Sequence, residues 1–499
     1  MMTTMLTSVP VEVWELVAGP LRIRDLPPLL LSSKLLNQVF TPVLYRHIQL
    51  NDEHSAKKCS ATLASDPATL SLGRSLAGMV QVFYLSGFDL SSASRRDDEA
   101  IEALQRLERA ISQMSNLRRF VACQFKPFTP SLLAAVFNGA ASTLQSLHVE
   151  LQSQQEWLCV EGCEGNIPED FRPQCPGLSM VDVTLKQRSQ VAGESSYRFL
   201  ERLLSSHAAQ LRILSFASPH HPDLVFSLLR QTTSWPVLEI LEIDQGLLRG
   251  GPLPETPQVR VLVVRSDHLL HGYSYRDNGD GDDDPMDVLN SWALDIRIPE
   301  TAFTKLEELH CSHEVLHAFL PPDGELHRPI SKIELDDANY WGAGTCLYYT
   351  IIPPWKTVRR ALSHLPSSGG PVRELAFIVC GLDFERFMNT AGPYLSTLER
   401  LLLVMYAPPV HAEALGQFGE RLFAHMPHLQ AFFMSEGPHN PGEARPSLEY
   451  SGDHSQQLRW LQEWEVHTPA LTMVGFTKDK IWVKTERGWV TDGMGVGVQ

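Results

Sequence analysis

Leu144-Gln145-Ser146-Leu147-His148-Val149, Leu178-Ser179-Met180-Val181-Asp182-Val183, Leu211-Arg212-Ile213-Leu214-Ser215-Phe216 and Leu238-Glu239-Ile240-Leu241-Glu242-Ile243 are four copies of one pattern, apolar-x-x-apolar-x-apolar. Its last two apolar positions stand two apart, the period of a strand that buries one face. The same pattern begins at Val80, Leu117, Val259, Leu306, Ile330, Val372, Leu398 and Leu429, giving twelve copies. Their mean spacing of about 32 residues is that of a repeat protein. Helical periodicity precedes several copies. Ile101, Leu104, Leu107, Ile111 and Met114 share one face of a stretch opened by Asp97 and Asp98. Similar stretches lie at Tyr197–Leu204, Asp223–Leu229 and Val358–Leu365. One helix and one short strand cannot bury their own apolar sides, so neighbouring units must stack. The expected fold is α/β, an irregular solenoid with a helix and a parallel strand per repeat, over residues 51–440. A doubly wound α/β domain is the competing fold, disfavoured by the number of copies and the lack of a phosphate-binding turn.

The ends and one interruption differ from this body. In the head, Val13, Leu16 and Val17 recur at helical spacing. Asp25 offers an N-cap before Pro27 and Pro28, and Pro42 punctuates the segment that follows. Residues 441–499 carry Trp460, Trp464, Trp482 and Trp489. There, Leu471-x-x-Val474-x-Phe476 offers a thirteenth strand. Ile481–Val483 and Trp489-Val490 read as a hairpin that closes the last sheet edge. Residues 276–287 form an acidic loop with Asp277, Asp280, Asp282, Asp283 and Asp284. It lacks the central Gly and closing Glu of a calcium loop. Cys346–Pro354 also departs from the pattern.

Composition narrows the function. The 499 residues hold 42 Lys and Arg against 58 Asp and Glu, a formal charge of −16, which argues against nucleic-acid or anionic-membrane binding. No secretory leader and no membrane-length apolar run is read. Eight scattered cysteines point to a reducing compartment, so cytoplasm and/or nucleus is expected. Cys159-x-x-x-Cys163 with Cys175 lacks a fourth metal ligand, and His207 is remote in sequence. Strand alternation turns Cys311 inward and His310 outward, which separates His310, Cys311 and His313 as ligands. No nucleophile elbow, Walker loop or His-Glu-x-x-His motif is present. Neither an enzyme, nor a metal, nor a cofactor is expected.

Residues 1–50 carry a second pattern. It runs through Val9-Pro10-Val11-Glu12-Val13-Trp14, Leu21, Asp25-Leu26, Leu31-Ser32-Ser33-Lys34-Leu35-Leu36 and Thr41-Pro42-Val43-Leu44-Tyr45-Arg46-His47-Ile48. This head resembles an F-box. The whole layout is similar to fungal F-box proteins with degenerate leucine-rich repeats. The resemblance implies a three-helix head that docks on a Skp-type adaptor and through it on a cullin. The chain would be the substrate receptor of a ubiquitin ligase, a single copy within the complex, making no bond itself. By motif position, Pro10, Val13, Leu16, Leu26, Ser33, Lys34 and Leu36 face or support the adaptor; for any of the apolar residues, packing within the head is the alternative. Ser32 and Leu36 depart from the usual motif residues. A second reading follows, a protein-interaction scaffold whose F-box-like head is a non-functional cap.

The strand pattern points to a target surface. Residues between and beside the inward positions face outward on the concave sheet. They include Arg119, Glu150, Asp182, Glu242, Asp244, Glu308, Lys332, Glu334, Asp336, Glu374 and Arg400, with Leu402, Val404 and Phe433 as an apolar addition. The expectation is a partly acidic groove for a basic or mixed protein surface. A solvated charged face without a role is the alternative.

Overall fold

The computed structural model describes residues 21, 25–65, 75–88, 98–125, 129–151, 173–185, 194–217, 229, 234–248, 255–265, 296, 298–299, 301–313, 315–321, 328–335, 355–380, 384–406, 415–436, 454–477 and 480–492. Outside them lie Pro10, Val13, Leu16, Asp336, the acidic loop 276–287, Cys346–Pro354 and all of Asp223–Leu229 but Leu229. The chain divides into two units, Met1–Leu238 and Glu239–Gln499.

In the first unit, β1 (His47–Leu50), β2 (Val82–Ser86), β3 (Arg119–Cys123), β4 (Ser146–Leu151), β5 (Met180–Leu185) and β6 (Ile213–Ala217) pair in parallel and in chain order. The second unit begins with β7 (Ile240–Asp244), β8 (Val261–Arg265), β9 (Glu308–Cys311) and β10 (Lys332–Leu335). It continues with β11 (Glu374–Cys380), β12 (Arg400–Tyr406), β13 (Ala431–Glu436) and β14 (Met473–Thr477), all parallel and in order. The twelve pattern copies are β2 to β13, and the thirteenth is β14. Consecutive neighbours exclude the reordered strands of a doubly wound sheet.

The pattern has a backbone cause. Its leading residues Leu117, Leu144, Leu178, Leu211, Leu306 and Leu429 are fully buried, as are the inward strand residues Leu147, Val149, Leu214 and Phe216. Each such side chain contributes about 1.5–3 kcal/mol of burial. The second position supplies a carbonyl that accepts two successive N–H groups of the next repeat. Gln145 O accepts from Ser179 N (3.0 Å) and Met180 N (3.1 Å); Ser179 O accepts from Arg212 N (2.8 Å) and Ile213 N (3.0 Å). Glu307 O and Gln430 O do the same in the second unit. Because stacking at this point uses the backbone, the second side chain is free to vary.

Helices supply the rest of the core. Asp98–Ser112 buries Leu104, Leu107, Ala110 and Ile111, the face its periodicity predicts. In the second unit Phe432 and Phe476 meet Phe418, Phe423 and Trp464, whose rings lie 5.0–6.0 Å apart. The last edge is closed as expected. The antiparallel strands β15 (Lys480–Thr485) and β16 (Gly488–Asp492) follow β14. Trp482 Nε1 donates to Gln457 Oε1 at 2.9 Å and Trp489 Nε1 to Glu465 Oε2 at 3.1 Å, fixing this hairpin to the helix His454–His467.

The head differs from expectation in three respects. Pro42 does not end a segment; it lies inside the helix Lys34–Arg46. The Thr41 hydroxyl donates back to Asn37 O (2.6 Å), while the carbonyl that the proline deprives of its helical donor is that of Gln38. Asp25 precedes the helix Leu26–Ser32 without a side-chain capping bond. The last four head residues are strand β1, paired with β2, so the head runs without a break into the sheet.

Candidate functional site

Two surfaces hold the residues singled out by sequence. The first is the head. Leu26 is buried against Phe40, with Leu21, Leu29, Leu30, Leu36, Val39, Val43 and Leu44 packed around them. Leu26 and Leu36 therefore support the head from within. Ser33 is an N-cap, its Oγ accepting from Leu36 N at 3.1 Å, and Lys34 is exposed. Leu31 was not among the expected docking residues, yet it is 88% exposed. From Asp25 to Arg46 only Leu26, Phe40 and Thr41 are buried, although the segment is rich in leucine. Its periodicity marks the apolar residues but not which side is left bare.

The second surface is the open face of the strands, opposite the inward leucines. In the first unit, register places Gln49, Tyr84, Val121, His148, Asp182 and Ser215 in one row. Arg119 is exposed, with its guanidinium 5.6 Å from the Tyr84 ring centroid. His148 Nδ1 contacts Asp182 Oδ2. Burial opposes a charge on His148, but the hydrogen-bonded Asp182 and then the neighbouring Cys123 overcome this and push it up to about 10. Glu150 also lies on this face, yet it is buried.

In the second unit the expected acids are paired. Glu242 Oε1 accepts from Arg265 Nε at 2.5 Å, Glu374 contacts Arg400 at 3.2 Å, and Glu308 contacts Lys332. His310 bridges two carboxylates, with Nε2 2.7 Å from Glu308 and Nδ1 3.1 Å from Glu334. Burial again opposes charge there, and both glutamates push His310 up to about 9. The His310 and Lys332 hydrogen bonds hold Glu308 down at about 2 against its desolvation. Asp244 and Glu334 are buried. The face is thus a charge-compensated lattice rather than a free acidic groove. The reason is register: Glu374 and Arg400, Glu308 and Lys332, and His310 and Glu334 share rows on adjacent strands, while Arg265 reaches diagonally to Glu242 from the row it shares with Asp244. At the far end, Ala376, Leu402, Val404 and Phe433 form an apolar stretch, with Ala376 and Val404 buried. The Phe433 ring lies over Gly475.

Two further groups correct the sequence reading. His207 is close to Cys175 in space: its Nε2 accepts from Cys175 N at 3.1 Å and Nδ1 contacts Leu203 O at 2.8 Å. Both ring nitrogens are engaged by backbone, so His207 offers no lone pair to a metal. Cys159 and Cys163 lie outside the described residues. Arg328 carried no sequence signal. It is buried and donates to the carbonyls of Ala302, Phe319 and Pro299 at 3.0–3.2 Å. Burial pulls its guanidinium down to about 10.

No protein-family model and no curated protein matches the chain. Among solved structures it is similar to the complex of Rad7 and Elc1 from yeast, at 14% identity and a TM-score of 0.26, covering 96% of this chain and 88% of that one. It is also similar to a leucine-rich-repeat protein of Leptospira interrogans, at 12% identity and a TM-score of 0.27, covering 87% and 96%.

Proposed function

We propose that the chain is the substrate-receptor subunit of a cullin-type ubiquitin ligase, acting in cytoplasm and/or nucleus. The head docks on a Skp-type adaptor, and the open face of the leucine-rich repeats holds a protein target. The chain forms no bond itself; it raises the local concentration of target lysines beside a conjugating enzyme. What supports this reading is Leu31, 88% exposed within the leucine-rich helix pair Leu26–Ser32 and Lys34–Arg46. A head that served only as a cap would turn such residues onto the sheet. On the open face of the first unit Arg119 remains accessible for a target and Glu150 is buried; on that of the second, Arg400, Leu402 and Phe433 remain accessible and Asp244 and Glu334 are buried.

A scaffold with a non-functional F-box-like cap is the second reading. It is favoured by the continuation of the head into β1, which covers the edge of β2. Co-purification with a Skp-type adaptor separates the two. Leu31→Asp is the appropriate variant, because Leu26 is part of the head's own core and its replacement would unfold what is being tested. Retention of adaptor by wild type and its loss in Leu31→Asp supports the receptor; no retention by folded wild type supports the scaffold.

A further inference from the structure

The cations of the two open faces differ in what they touch. In the second unit Arg265, Lys332 and Arg400 each meet a carboxylate, of Glu242, Glu308 and Glu374. In the first unit Arg119 does not. Its guanidinium rests on the Tyr84 ring, 5.6 Å from the centroid, and makes no ion pair or hydrogen bond among the described residues. Arg118, next to it in the chain, is also exposed and has no carboxylate partner among the described residues. The Tyr84 ring stacks in turn with His47, centroids 5.2 Å apart and planes 23° from parallel. Register explains the grouping. His47, Val82 and Arg119 share one row on β1, β2 and β3, and Tyr84 stands in the next row on the strand between the other two. The acids of this face are engaged elsewhere. Asp182 lies two strands from Arg119 and contacts His148, which stands between them on β4. Glu150 is buried, four residues along β4 from the row of Arg119, about 13 Å. Charges in solvent are screened within about 8 Å at physiological salt. This corner therefore presents positive charge although the chain as a whole carries −16.

We infer that the corner formed by His47, Tyr84 and Arg119 docks an acidic peptide, a carboxylate-rich segment of a protein target. The inference rests on the reading of the open face as a target surface. In the first unit it gives that surface the sign opposite to the acidic groove expected from sequence. A guanidinium offers paired N–H donors that match the two oxygens of a carboxylate. The Tyr84 ring holds Arg119 without neutralising it, so the arginine is ordered before a carboxylate arrives. Arg265 and Arg400 would only exchange one carboxylate for another, with little gain. Arg118 adds a second positive charge beside the first, which favours a run of acidic residues over a single one.

The test titrates the full-length chain into fluorescein-labelled decaglutamate, with decaglutamine as the uncharged control, followed by anisotropy at about 0.15 M salt. Wild type should bind decaglutamate and not decaglutamine. Arg119→Glu should weaken that binding about tenfold, and Tyr84→Leu about threefold, in variants shown to be folded by their thermal midpoints. Arg109→Glu, at an exposed position of the helix Asp98–Ser112, changes the net charge equally and should leave the affinity unaltered. No decaglutamate binding by wild type, or equal affinities of Arg119→Glu and Arg109→Glu, would overturn the inference. Adaptor binding by the head is read on the same preparation. Adaptor binding without decaglutamate binding defeats this inference alone. Arg119-dependent decaglutamate binding without adaptor binding upholds the corner and defeats the receptor reading.

Discussion

At the scale of the residue, the side chains that decide local structure are those placed by cross-strand register. His310 shows this through its titration. Its proton is held to about pH 9 against an ordinary 6.5, so its stabilising contribution is complete below 6.5 and is lost as pH rises through about 9. His148 behaves likewise, its loss centred near 10. Glu308 runs the other way: complete above its ordinary 4.5, it is lost as pH falls toward about 2. Thermal midpoints measured across pH should therefore fall on both sides of a plateau between 4.5 and 6.5, and His310→Gln should shrink the fall near pH 9. Gly475 gives a second prediction. A Cβ there would lie 2.6 Å from Phe433 Cδ1, so Gly475→Ala must displace that ring and should cost about 1–3 kcal/mol by denaturant midpoint. These pairings were partly legible in the sequence. Aligning the repeats by column sets His148 beside Asp182, His310 beside Glu334 and Lys332 beside Glu308. The burial of Glu150, Asp244 and Glu334 was not legible, because strand alternation assigns a face and says nothing of what covers it.

At the scale of the element, the repeat is held by its leading leucine and its shared carbonyl. Leu211→Ala empties a fully buried site and should cost about 2–5 kcal/mol, read as a lowered denaturant midpoint of the first unit. Helix packing adds a tighter constraint. A Cβ on Gly139 would meet Ile111 O at 2.5 Å and Ser112 O at 2.8 Å, both backbone atoms that cannot swing away. Gly139→Ala should therefore destabilise, although the same change inside an exposed helix ordinarily stabilises by about 0.5–1 kcal/mol. The twelve pattern copies and the thirteenth were readable because burial of two alternate residues after a leading one is a property of sequence alone. Strand β1 carries the same signal, Tyr45-x-x-Ile48-x-Leu50, and Ile48 and Leu50 align with Phe83 and Leu85. It was hidden because these residues also complete the F-box-like ending. Pro42 misled for a related reason: proline forbids one backbone bond, and the helix Lys34–Arg46 continues with that bond missing.

At the scale of the whole molecule, each end of the repeat array serves a different need. The final hairpin protects the edge of β14, whose unpaired backbone would otherwise recruit other strands. Removing residues 480–492 should produce concentration-dependent aggregation, visible by light scattering, since Trp482 would no longer cover Gln457. The other end carries the head, where Leu31 is exposed. Its leucines were visible in sequence, but which of them is left uncovered depends on how the two helices pack, and that placed Leu31 rather than Leu26 on the outside. Burying one leucine side chain against a partner is worth about 1.5–3 kcal/mol, or roughly ten- to hundredfold in affinity. The decisive measurement is the dissociation constant of the purified full-length chain for a Skp-type adaptor, wild type against Leu31→Asp, with thermal midpoints compared alongside. A substrate receptor gives tight wild-type binding that weakens by ten- to hundredfold in the variant at an unchanged midpoint. Equal affinities, or no binding by the folded wild type, would contradict it.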